Sequence, residues 1–81
     1  MVEVNFWGGL RVLTNGCDKI DVDAETVIDV LNGVEKAFPA LSNYLEDHVS
    51  VVIDGRVIVS SLHEPVKEDS EVWLIKRLTG G

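Results

Sequence analysis

Glu71-Val72-Trp73-Leu74-Ile75-Lys76-Arg77-Leu78-Thr79-Gly80-Gly81 decides how this chain is read. From Glu71 to Leu78 the run is rich in β-branched, aromatic and aliphatic side chains, which predicts a β-strand. Gly80-Gly81 then follows directly. Glycine is disfavoured inside an element and at home in an irregular segment. A strand that opens into two glycines is expected to feed a thin arm without side chains, 79–81, whose reactive group is the α-carboxylate of Gly81. Such an arm can thread a narrow channel in a partner and present an unhindered acyl group there. A frayed terminus has the same composition, so the remainder of the chain has to decide between the two.

Within the strand, side chains alternate between two faces. Val72 and Leu74 share one face, Trp73 and Ile75 the other. The first residues, Val2-Glu3-Val4-Asn5-Phe6, alternate in the same way and place Val2, Val4 and Phe6 on a buried side. Gly8-Gly9 ends that strand, and Asn15-Gly16 marks a turn before a second strand around Ile20 and Val22. These two strands are expected to pair as a hairpin with a long, irregular connection. A helix follows. Val27, Val30, Leu31, Val34, Ala37 and Phe38 form one apolar stripe at helical spacing, and Thr26 with Asp29 makes a capping box at its start. Gly33 lies inside the helix, where it costs about 1 kcal/mol against alanine, and points to close packing. Pro39 stops the helix, with Leu41 and Leu45 expected to dip inward just after it.

Val49-Ser50-Val51-Val52-Ile53 predicts a third strand, and Asp54-Gly55 a tight turn into Arg56-Val57-Ile58. The polar stretch 60–70 holds Leu62 and Val66 as expected anchors. The order is β-β-α-β-β-β, an α+β roll in which one sheet carries one main helix across one face. Helix cover on a single face assigns Val72 and Leu74 to the core beside Val2, Val4 and Phe6. Trp73 and Ile75 are then left on the open face together with Trp7. Exposed aromatic and aliphatic groups in company suit a protein-docking patch; cover by the loop 60–70 is the alternative.

Eighty-one residues make one domain, 1–78, and a chain of this size buries only about 60–65% of its unfolded surface. Fourteen acidic and seven basic side chains give a net charge of −7. The basic residues are scattered, with only Lys76 and Arg77 adjoining, which argues against nucleic acid as a partner. Cys17 is the single cysteine, so a disulfide framework and a cysteine-held metal centre are excluded. A free thiol suits a reducing compartment, and no apolar run approaches the length of a membrane span, so the expected location is cytoplasmic with no membrane partner. Cys17 has no neighbouring base to activate it. His48 and His63 lack metal-site spacing, and Glu64, Glu68, Asp69 and Glu71 lack the spacing of a calcium loop. No metal or cofactor is expected to be bound by this chain.

The order of elements, Thr26-Val27 opening the helix, the Asp54-Gly55 turn, Leu62 ahead of Pro65, Glu68-Asp69-Ser70-Glu71-Val72 entering the last strand and the final Gly80-Gly81 together resemble the ThiS/MoaD sulfur carriers. The nearest likeness in length is to the small subunit of molybdopterin synthase. Lys76-Arg77 departs from that subunit's usual prolines and is more similar to ubiquitin. The resemblance implies a ubiquitin-like β-grasp fold and a carrier rather than an enzyme. It further implies that the Gly81 carboxylate, ionised at neutral pH, is adenylated by an ATP-dependent activating enzyme of the ubiquitin-activating type. A sulfur donor then converts it to a thiocarboxylate for an acceptor synthase. ATP and magnesium enter through the activating enzyme, Gly80 gives the narrow approach, and Trp73, Ile75, Trp7, Lys76 and Arg77 form the docking set. Molybdopterin biosynthesis is favoured over thiamine. Two alternatives stand beside it: a ubiquitin-like modifier joined through Gly81 to lysines, and a plain β-grasp interaction domain.

Overall fold

The structure is a computed structural model and describes residues 1–42, 44–45, 49–58 and 62–76. Its elements run β1 (Val2–Phe6), β2 (Lys19–Val22), α1 (Val27–Ala37), β3 (Val49–Ile53), β4 (Arg56–Ile58) and β5 (Glu71–Lys76). Short 3₁₀ turns occupy Gly8–Leu10 and Pro39–Leu41. The strands form one mixed sheet in the order β2-β1-β5-β3-β4. β1 and β5 pair in parallel, and the other neighbours pair antiparallel. The last strand is thereby the central one, as the α+β roll requires.

Alternation along each strand sorts its side chains as the hydrophobic pattern demands. Val2, Val4 and Phe6 of β1, Val51 and Ile53 of β3, and Val72 and Leu74 of β5 are all buried on one side of the sheet. Val27, Val30 and Val34 of α1 cover that side, and Leu41, Leu45 and Val66 close its margins. Phe6 meets Phe38 edge to face, with ring centroids 5.9 Å apart. A β-carbon on Gly33 would lie 3.1 Å from Cβ and Cγ1 of Val22. The glycine is therefore what lets α1 rest directly on β2.

The helix begins as its sequence dictates. Thr26 Oγ1 accepts from the Asp29 amide, and Asp29 Oδ2 accepts from the Thr26 amide at 3.2 Å, completing the capping box. The amides of Val27 and Ile28 would otherwise lack partners. They donate to the carbonyls of Glu64 and Leu62 at 3.0 and 2.9 Å. This corrects the role expected of Leu62. Its side chain is 47% exposed, and the segment is held by its backbone at the helix end, with Val66 as the apolar anchor. Ala37 is also exposed, because the helix ends there and only Phe38 turns back to the core. Asp54 and Gly55 both have positive φ, 49° and 84°, the geometry of a two-residue type I′ hairpin turn. Asp54 is strapped to the start of β5: the Glu71 amide donates to Asp54 Oδ1 at 2.8 Å, and the Asp54 amide to the Glu71 carbonyl at 2.9 Å.

Candidate functional site

The pairing that buries one side of the sheet leaves the other without a covering helix among the described residues. Reading across the strands, Lys19, Asn5, Trp73, Val52 and Val57 stand in one row of that open face, and Ile75 lies beside Ser50 in the next. Trp73 is 37% exposed and Val57 45%, while Val52 and Ile75 are half-buried. The indole of Trp73 is held in place by its Nε1, which donates to Glu71 Oε1 at 3.1 Å. Beneath it, Asn5 Nδ2 donates to the Val72 carbonyl at 3.1 Å and ties β1 to β5 through side chain as well as backbone. The described part of the loop, residues 62–70, packs at the start of α1, with Pro65 bridging to Thr26. It lies on the helix side and leaves Trp73 open.

Sequence reasoning placed Trp73 and Ile75 on the open face, where the register also sets them, and did not name Val52 and Val57 there. The signal was present, since Val52 is an apolar residue at an outward position of an alternating strand. Lys76 shares the parity of Val72 and Leu74 and pairs with Val49, so it is exposed at the strand end and stands apart from the Trp73 face. Trp7 also differs from expectation. Its amide donates to the Leu74 carbonyl at 3.0 Å, beside the C-terminal end of β5. Its indole packs against the margin of the core and stacks on Tyr44, with centroids 6.4 Å apart and planes at 24°. The ring also lies so close over Gly9 that a β-carbon there would fall 2.4 Å from Nε1. Trp7 thus flanks the exit of the central strand rather than joining the open patch.

Arg77, Gly80 and Gly81 lie outside the described residues, as do Leu78, Thr79 and His48. They follow a strand gripped on both sides. β1 pairs with β5 as far as Leu74, and β3 as far as Lys76. Cys17 is exposed. Among the described residues no group of three or more His, Cys, Asp or Glu side chains is placed to hold a metal ion, and no helix is long and apolar enough to cross a membrane.

This architecture, a mixed five-stranded sheet grasping one helix, defines the class: a β-grasp, ubiquitin-like fold. No protein-family model and no curated protein matches the sequence. Solved structures do. The Amycolatopsis orientalis BexX/CysO complex contains a chain that superposes with a TM-score of 0.83 at 19% identity, covering 100% of both chains. SAMP1 from Haloferax volcanii matches with a TM-score of 0.74 at 26% identity, over 99% of this chain and 98% of that one. A chain in the complex of subunits 1 and 2 of the molybdopterin-converting factor from Helicobacter pylori 26695 matches with a TM-score of 0.69 at 20% identity, over 99% and 97%. The resemblance to ThiS/MoaD-like carriers is carried by these neighbours at the level of the fold.

Proposed function

We propose that this chain is a sulfur carrier whose Gly81 carboxylate is activated and loaded by partner enzymes. The observation that supports this most directly is the place of β5. It is the central strand, paired on both sides, and the residues that follow it are Arg77-Leu78-Thr79-Gly80-Gly81. A rigid root with a glycine arm suits insertion into a channel, because the arm costs little in width and the root fixes its direction. Among the neighbours, one is a molybdopterin-converting factor chain in complex with its second subunit and another is in complex with BexX. These favour a synthase-type partner here also, with molybdopterin chemistry ahead of thiamine chemistry.

The chemistry proceeds in two displacements. A carboxylate oxygen of Gly81 attacks the α-phosphorus of ATP, forming the acyl-adenylate and releasing pyrophosphate. Sulfide (HS⁻) released by the donor then attacks the acyl carbon and expels AMP, leaving the thiocarboxylate and a proton. ATP and magnesium belong to the activating enzyme, and the catalytic groups with them. This chain contributes the acyl group, the arm and the docking face of Trp73, Ile75, Val52 and Val57. Trp7 and Lys76 flank the root of the arm, and Arg77 is the next residue in the sequence.

A second reading has its own support. Identity is higher to SAMP1, a small archaeal modifier protein, at 26% than to the molybdopterin-converting factor chain at 20%. In that reading the activated Gly81 ends in an isopeptide bond to a lysine. The experiment is to follow ATP-dependent pyrophosphate release by the activating enzyme with wild type and with Gly80→Val. The variant is expected to fold normally and to block activation, since a β-branched side chain widens and stiffens the arm. Activation of Gly80→Val at the wild-type rate contradicts the threading mechanism. A product joined to lysine, with no thiocarboxylate formed, decides for the modifier.

A further inference from the structure

The open face changes character along β5. Nearest the C-terminal end Ile75 lies beside Ser50, and next comes the apolar run Trp73, Val52 and Val57. At the start of β5 the register sets Asp21, Glu3 and Glu71 side by side across three strands. All three are exposed. Like charges placed directly opposite one another in a sheet are destabilising. The cation nearest to hand, Lys19 Nζ, is 3.5 Å from Glu3 Oε2, and Glu71 accepts from the neutral indole of Trp73. Folding draws only a solvent-exposed ion pair and one indole hydrogen bond from this row, small terms that leave its like charges side by side, whereas a docking surface gains a charged margin.

Resting on the carrier reading, we infer that the partner is a protein surface with an apolar centre and a basic margin. The centre sits on Trp73, Val52 and Val57, and Lys or Arg side chains of the margin meet Asp21, Glu3 and Glu71. The net charge of −7 acts in the same direction over longer range. The two rows also fix orientation. Turning the carrier end for end sets partner cations on the apolar row and apolar groups on the carboxylates, both of which are penalised. The acidic row therefore aims the C-terminal end of β5 toward one side of the partner. Charge complementarity of this kind governs the rate of encounter, while the desolvated apolar centre governs the lifetime of the complex.

The test uses the enzyme that adenylates the wild-type chain and measures association and dissociation rates over a range of salt. The variants are Glu3→Gln with Asp21→Asn, then Trp73→Ala, and Glu35→Gln on exposed α1 as a control. Glu71 is retained because it holds the indole. The double variant is expected to associate about tenfold more slowly at low ionic strength and to lose most of its salt dependence. Its thermal midpoint should equal or exceed that of the wild type, which reports an intact fold. Trp73→Ala should dissociate faster and keep the salt dependence. If the double variant tracks Glu35→Gln while Trp73→Ala is defective, the acidic row is overturned and the carrier reading stands. If no activating enzyme adenylates the wild-type chain, both fall.

Discussion

Val72 and Leu74 lie one residue away from Trp73 and Ile75, yet the two pairs belong to different parts of the molecule. The first pair is fully buried between β1, β3 and α1. The second stands on the opposite face, which no helix covers among the described residues. Both pairs are apolar, so composition does not separate them; the strand's period of two does, together with the packing of α1 against one face. The difference teaches where the free energy of each side chain is spent. Leu74 contributes to folding, whereas Trp73 keeps 37% of its surface exposed in the folded chain. An indole kept on an open face, steadied by Glu71 and beside Val52, with Val57 one strand further on, is a surface suited to burial against another protein.

Substitutions at neighbouring positions should therefore fail for different reasons. Leu74→Ala is expected to have the largest effect, lowering unfolding free energy by roughly 2–5 kcal/mol through an unfilled cavity, read from a denaturant titration. Trp73→Ala should lower stability far less and weaken binding to the activating enzyme by about 2 kcal/mol if the ring is a central anchor, read from titration of the partner. If Trp73→Ala unfolds the protein while Leu74→Ala weakens only binding, the faces have been assigned the wrong way round. Thr26→Ala sits on neither face. It should cost about 1 kcal/mol from loss of the cap and leave partner affinity unchanged, which separates general destabilisation from loss of docking.

Local features of the fold were legible in the sequence wherever a short-range pattern suffices. The alternation of β1, β3 and β5, the capping box of Thr26 and Asp29, the Asp54-Gly55 turn and the close approach at Gly33 each follow from a few adjacent residues. What was not legible depends on partners far along the chain. The hydrogen bond from Asn5 to Val72 spans 67 positions, and the rows of the open face exist only once β1, β5 and β3 are aligned. Val52 and Val57 therefore join Trp73 on the open face only through register. Trp7 was misplaced because alternation was extended beyond Phe6, where the chain turns into Gly8–Leu10 and stacking on Tyr44 decides the ring's position. The segment after it was read as an irregular loop, yet Leu10 and Thr14 are fully buried, held by turn hydrogen bonds such as Thr14 Oγ1 to the Cys17 carbonyl at 2.9 Å.

Activated sulfur on Gly81 would register as a change in the intact mass of the chain. The full chain is incubated with ATP, magnesium, its activating enzyme and a sulfur donor, and the mass of the product is compared with a reaction lacking ATP. The expected result is exchange of one oxygen for sulfur, localised to Gly81 by fragmentation and absent without ATP. An activating enzyme that binds the chain yet leaves its mass unchanged, with neither adenylate nor thiocarboxylate at Gly81, contradicts it.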